Sequence, residues 1–368
     1  MKFLRPWIVV TILSLIFVAA VIIRNNGDPL ALVTIGTQFS QGIPEAQGGT
    51  EGYDGQFNYY IIRDPNTAAQ YIDVPAYRFQ RILLPALGLL LSLGQESLIP
   101  WALLVINIVS LAAGTAILET LLRQRNVSRW YALTYGLMLG IFGSVRLSLS
   151  EPLAYALVLG GILLAGRERW LWSAFLFALA ALAKETTLVF PAAYGLYLIF
   201  QRRWRVTIPF SILSVAPFVV WQLILYARLG TFGIGSGGAK ATSFEIVPFA
   251  GVARIITESP PEVRLTVLLI FGALLLPFVL LPALWGFYRS WVDWRAGEWT
   301  IFTFILFANA LVMPFVPFST YREFLGILRF IVGLQIAVIL YAAQKHNVRV
   351  LRNSTIWIMT GLFVFSLF

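Results

Sequence analysis

The chain is a succession of apolar runs separated by short polar turns. The runs lie near 6–23, 82–93, 97–122, 130–145, 152–166, 170–183, 187–200, 207–227, 264–288, 300–316, 323–343 and 354–368. They are continuous and lack the period-two alternation of a membrane β-strand. Lipid admits only helices or closed barrels. The pattern therefore predicts an all-α, polytopic membrane protein. The run between Lys2/Arg5 and Arg24 has the basic start and apolar middle of a signal peptide. It is long for one and lacks a small-x-small cleavage site, so we read it as an uncleaved first helix running outward. The longest polar stretch, 24–81, follows it.

The run Ile82–Leu93 decides the topology. It makes about 18 Å of helix, against a hydrocarbon core of about 30 Å. Suppose it does not cross. The turns holding Arg123/Arg125/Arg129, Arg167/Arg169, Arg202/Arg203/Arg205, Arg289/Arg295 and Lys345/Arg349/Arg352 then all fall inside, as the positive-inside rule asks. If it crosses, every one of them moves outside. We therefore read it as an interfacial or half-inserted helix on the outer side. About eleven spans remain, with an inside N-terminus and an outside C-terminus. The outer side holds a first loop (24–96) with interfacial helices, a second loop (228–263), and short turns near 146–151, 184–186 and 317–322.

Composition narrows the function. Of 368 residues, 59% are hydrophobic and 12% charged, about half the charged fraction of a soluble domain. There is no Cys, and His346 is the single His. That removes thiol nucleophiles, iron–sulfur clusters, thiolate zinc sites and multi-His metal centres. The net charge of +10 invites a nucleic-acid reading, but the basic residues are scattered over many loops and form no stripe. Under the topology above, the inner side carries 15 basic and 4 acidic residues, the outer side 12 and 13. The excess is an orientation signal. The mixed outer set is where chemistry is expected.

Several outer charges should lie at membrane depth. Residues 170–200 must cross twice in about 46 Å of helix, where two full crossings need about 60 Å. Lys184 and Glu185 in their turn would then be ionisable groups below the outer surface, which is costly unless they meet water or one another. The neighbouring turn carries Arg146 and Glu151, and Arg322, Glu323 and Arg329 start a later span. Three clusters at one depth point to a cavity opening outward. The bland alternative is that they are paired charges that fix helix packing.

The first loop holds the densest polar and aromatic cluster, Glu51-Gly52-Tyr53-Asp54-Gly55-Gln56-Phe57-Asn58-Tyr59-Tyr60, leading to Arg63-Asp64-Pro65. Its spacing predicts a short amphipathic surface helix from Gly55 to Arg63, with Asp54 at or near its N-cap. Asp54 is then either a plain helix cap or a carboxylate held at the cavity mouth. Further on, Arg78 and Arg81 precede the half-inserted helix. Outer-side arginines run against the orientation rule, and their forked geometry suits phosphate oxygens. Pairing with Asp73 or with lipid headgroups is the alternative. The Gly-rich run Thr231–Lys240 lacks phosphate-loop spacing and is expected to be a flexible loop, a lid over an acceptor. Phe244–Ile256 is expected to be an interfacial helix.

The Tyr-Asp-Gly-Gln-Phe cluster, the Arg-Asp-Pro step, Tyr-Arg-Phe-Gln-Arg-Ile-Leu-Leu-Pro at 77–85, Ser-Glu-Pro-Leu-Ala at 150–154 and Ala-Lys-Glu-Thr-Thr-Leu at 183–188 together resemble the GT-C class of membrane glycosyltransferases. The resemblance covers roughly 1–205, which would be the catalytic module, with 206–368 as C-terminal helices. It implies an inverting enzyme of the plasma (inner) membrane, with its active site facing outward. Such an enzyme moves a sugar from a polyprenyl-phosphate donor to a cell-envelope glycan or lipid acceptor, as in glycolipid biosynthesis. Asp54 is the implied general base. Candidate substrate-binding residues are Tyr53, Gln56, Arg63, Arg78, Arg81, Arg146, Glu151, Lys184, Glu185 and Arg322. No cofactor is required. A divalent metal held by Asp54 with Glu51 or Glu151 is allowed but not demanded, and no metal ligand is assigned. Two alternatives stand beside this: a transporter or lipid-linked-sugar flippase without transferase activity, and a scaffold in an envelope-assembly complex.

Overall fold

The computed structural model describes residues 4–237 and 242–367. The chain is all-helical. Among the described residues there is no strand, only an isolated bridge between Ile35 and Gly52. Four helices are long and apolar enough to cross a membrane: Pro6–Arg24, Glu96–Arg123, Trp204–Leu229 and Pro261–Ala296. A fifth is added if Phe324–Phe330 and Val332–Gln344, which meet at 43°, form one span. Five further apolar helices are shorter: Leu83–Ser92, Glu151–Ala165, Trp170–Ala183, Glu185–Phe200 and Ile301–Phe315.

The difference from eleven spans has local causes. The apolar run 130–145 breaks at Met138, whose extended backbone separates Ala132–Gly136 from Leu139–Arg146. The last run winds as a 3-10 helix over Thr355–Leu367. Three others stop early because charged or polar turns, such as Lys184–Leu188, cut them to well under 30 Å.

The long helices leave wide apolar faces without a protein partner. Trp204–Leu229 exposes Ile208, Ile212, Val219, Val220 and Leu223. In water such a face would be an aggregation liability; against lipid it is solvated, which accords with an integral membrane protein. Inside, one buried cluster runs from Val10 through Tyr135, Phe177, Phe210 and Leu306 to Tyr341 and Trp357. Regions 1–205 and 206–368 thus share a core. Close pairing relies on small residues: Gly161 lies against Phe177, and Ser173 Oγ donates to the Gly161 carbonyl at 2.8 Å. A second cluster, including Phe57, Tyr60, Ile62, Leu84, Leu103 and Leu153, lies beneath the first loop.

The charged turns sort into two groups. Arg5 and Arg129 meet Glu119, Arg203 meets Glu168, and Lys345 meets Asp293 and Glu298. These residues all stand in turns assigned to the inner side. Arg78, Arg81, Lys184, Arg254 and Arg329 pair only with acids assigned to the outer side. Glu151–Ala165 joins one group to the other and is about 21 Å long.

Candidate functional site

The first loop folds back on itself before it reaches Asp54. Tyr53 N–H donates to the Thr34 carbonyl at 2.9 Å, and Gly36 N–H donates to Gln56 Oε1 at 3.0 Å. Gly52 takes φ +72°, a left-handed conformation that a side chain would strain. Gly55 starts the helix Gly55–Arg63 so close to the 147–148 turn that a Cβ there would collide with the Leu147 carbonyl oxygen. Asn58 Nδ2 donates to the Ser148 carbonyl at 2.9 Å. The two glycines therefore clamp Tyr53 and Asp54 between them.

Asp54 occupies the N-cap position, but its side chain makes no capping hydrogen bond. Its backbone is already helical (φ −51°, ψ −27°), which turns the carboxylate away from the helix N–H groups. Arg78 Nη1 forms an ion pair with Oδ1 at 2.9 Å, and Oδ2 accepts Arg329 Nη1 at 3.0 Å. Burial alone would raise the Asp54 pKa. The guanidiniums of Arg78 and Arg329, with Arg81 beyond them, outweigh it and hold the carboxyl well below the usual range.

Each partner is tied further. The Arg78 fork also grips Asp73, at 2.8 and 2.7 Å, and its plane lies 4.2 Å from the Phe57 ring centroid. Arg329 Nε donates to Glu151 Oε1 at 2.7 Å, and its Nη1 also reaches the Tyr53 hydroxyl at 3.0 Å. The Tyr53 hydroxyl donates to Glu323. Burial raises its pKa well above the usual phenol range, so it remains a donor. Lys184 Nζ shares Glu151 Oε1 at 2.7 Å. Arg81 holds Glu185 through two bonds, 2.9 and 2.6 Å, and takes the Tyr77 hydroxyl at 2.9 Å.

Two clefts meet at Asp54. One, of about 400 Å³, is lined by Arg78, Arg81, Lys184 and Arg329 together with Asp54, Glu185 and Glu323, and by residues of the second loop and the 317–330 segment. The other cleft, of about 420 Å³, is lined by Glu51, Tyr53, Asp73, Arg322 and Glu323. Asp54 and Arg78 belong to both. The second loop is latched in place: Gln222 Oε1 accepts Gly233 N–H at 2.8 Å, and Gln222 Nε2 donates to Gln80 Oε1 at 3.3 Å. A Cβ at Gly233 would collide with Gln80. Residues 238–241 of the Gly-rich run lie outside the described residues. The expected 244–256 helix is shorter. It spans Ala250–Thr257, because Pro248 and the left-handed Phe249 precede it.

Tyr53, Asp54, Arg78, Arg81, Glu151, Lys184 and Glu185 come together. Arg322 stands exposed in the wall of the second cleft, 5.2 Å from the Phe318 ring centroid. Gln56 also lines the second cleft, while Arg63 and Arg146 line neither. Gln56 spends its amide on the backbone of Gly36 and Glu51. Arg63 stacks over Tyr60 and Tyr71. Arg146 donates to the Ala31 carbonyl and Thr34 Oγ1, both at 2.7 Å, and so pins the loop's first turn. The Gly55–Arg63 helix is not a surface helix: every residue from Gly55 to Ile62 is buried. Its polar face, with Gln56, Asn58 and Tyr59, meets loop backbone and Glu96 rather than headgroups.

Arg329 is the central residue that was not singled out for binding. The signal is one Arg inside the apolar run Phe324–Phe330, a position that needs a buried partner. Asp73, Tyr77 and Glu323 also line the clefts. The donor set does not suit a metal: Asp54 and Glu151 face guanidinium and ammonium groups, and among the described residues no three His, Asp or Glu converge. Comparison with protein-family models, curated proteins and solved structures finds no match.

Proposed function

We propose that the protein is a membrane glycosyltransferase that uses a polyprenyl-phosphate sugar on the outer face of the plasma membrane, with Asp54 as general base. The observation that carries this is the position of Asp54. It is a carboxylate not used as a helix cap, set where a mixed-charge cleft richer in cations meets a second one richer in acids. The cleft with Arg78, Arg81, Lys184 and Arg329 suits the donor phosphate, and the one with Glu51, Asp73 and Glu323 suits a hydroxyl- or amine-bearing acceptor. The 21 Å reach of Glu151–Ala165 supports a cleft floor below the outer bilayer surface. A lipid-linked donor would then keep its tail in lipid.

In the reaction, Asp54 takes the proton of the acceptor O–H or N–H. The acceptor atom bonds to the sugar's anomeric carbon as the anomeric C–O bond to phosphate breaks. Configuration inverts, and the electron pair leaves with polyprenyl phosphate. Arg78, Arg81, Lys184 and Arg329 stabilise that leaving charge. Without ligand, Arg78 and Arg329 hold Asp54 too acidic to be a good base. An arriving phosphate competes for both guanidiniums and frees the carboxylate.

The test is proteoliposomes of the full chain supplied with labelled polyprenyl-phosphate sugars and an envelope lipid fraction. Donor-dependent label transfer supports the reading. Translocation of the labelled donor without transfer would favour the flippase.

A further inference from the structure

The end of the molecule away from Asp54 carries its own cavities. One, of about 400 Å³, lies among the ends of Ile99–Arg123, Glu151–Ala165, Val189–Phe200 and Ile301–Val312. A second, of about 520 Å³, adjoins it. Glu168 and Trp170 line both. The polar groups here are mostly donors. Arg125 and Arg203 line the first cavity, Arg169 and Arg205 the second, and Glu168 is the one acid. The set therefore carries a net charge of +3.

Arg125 has no carboxylate partner. Its Nε donates to Gln344 Oε1 at 3.2 Å and its Nη1 to the Leu121 carbonyl at 2.7 Å, while the guanidinium stacks 4.4 Å from the Phe302 centroid. The fork is thus held in place with Nη2 uncommitted. Arg203 reaches Glu168 only at 3.3 Å, with both side chains exposed. The Trp170 indole N–H is buried with no acceptor. Tyr194 packs its ring against Trp170, Phe177 and Phe210 and makes no hydrogen bond through its hydroxyl among the described residues. An oriented guanidinium, a spare hydroxyl and an orphaned N–H surround a space whose one carboxylate, Glu168, is largely exposed. Apolar walls at Ile162, Leu121 and Phe302 continue from it.

We propose that this cavity binds the phosphate of an anionic lipid headgroup from the inner leaflet. A phosphate oxygen takes the uncommitted Nη2 of Arg125, and Arg203 leaves the exposed Glu168 to share the charge. The acyl chains follow the apolar faces of the neighbouring helices. Zwitterionic lipid is disfavoured because its ammonium would meet the guanidiniums of Arg125 and Arg203. The site is separate from the Asp54 clefts and does not depend on sugar transfer.

Native mass spectrometry of the full chain, with phosphatidylglycerol and phosphatidylcholine added in equal amounts, tests it. The expected result is retention of one phosphatidylglycerol with about tenfold preference. The preference should be lost in Arg125→Gln/Arg203→Gln and reduced about threefold in Tyr194→Phe. The latter keeps the ring packing and serves if the double variant does not fold. Equal retention of both lipids, or unchanged preference in a folded Arg125→Gln/Arg203→Gln, would overturn the site. Displacement of the lipid by millimolar inorganic phosphate would overturn the lipid assignment.

Discussion

At the Asp54 end, Glu151 is 1% exposed and binds both Lys184 and Arg329, which are scarcely more open. At the opposite end, Glu168 is 73% exposed and meets Arg203, and Glu298 is 64% exposed and meets Lys345, while the buried Glu119 and Asp293 are met by cations that are themselves partly exposed, Arg5, Arg129 and Lys345. The residue types are the same and the physics is not. An exposed pair is screened and contributes about 0–1 kcal/mol. A buried cluster cannot lose one member without stranding a charge. The exposed charges serve orientation, which tolerates substitution. The buried ones hold a shaped, polar space open inside an apolar bundle, and that has a stability cost.

The contrast can be broken by mutation, beginning with the largest effect. Glu151→Ala leaves Lys184 and Arg329 without their shared acid, and should cost about 3–5 kcal/mol in thermal or denaturant unfolding in detergent. A loss under 1 kcal/mol would mean the cluster is wet and the contrast false. Gly55→Val forces a side chain against the Leu147 carbonyl and should cost about 1–3 kcal/mol. It should also impair transfer more than stability, because it shifts Asp54. Glu298→Gln, at the opposite end, should change stability by no more than about 1 kcal/mol.

A pH series sharpens the comparison. The folded pKa of Asp54 lies below its unfolded value, so its contribution to stability is present above the unfolded pKa and is lost as pH falls through the folded one. The stability difference between wild type and Asp54→Asn should thus stay flat from neutral pH to about pH 5, above the usual Asp range. A difference that decays between neutrality and pH 5 would show that Arg78 and Arg329 do not hold the carboxylate.

Much of this end was readable in the chain itself. Lys184, Glu185 and Glu151 stand out because an ionisable residue in an apolar run needs a partner, and their pairing follows. The glycines around Asp54 mark a close approach. What stayed hidden was how each side chain is spent. Gln56 and Arg146 have the residue types of ligand-binding groups, yet both satisfy loop backbone, and only the fold shows which carbonyls lie near. Arg329 was visible as an oddity, but nothing local says that it bridges Asp54 and Glu151 across 275 and 178 positions. The full span count stays unconfirmed for a related reason. Apolar length does not reveal that Met138 breaks one run or that the last winds as a 3-10 helix.

The central claim is that Asp54 performs proton abstraction rather than fixing the loop. Sugar transfer from a labelled polyprenyl-phosphate donor, measured for wild type and Asp54→Asn in the same proteoliposomes, tests it most directly. The account predicts a rate lowered by about 10²–10⁴-fold, in a variant that still folds and still binds the donor. Transfer at the wild-type rate by a folded Asp54→Asn protein would contradict it.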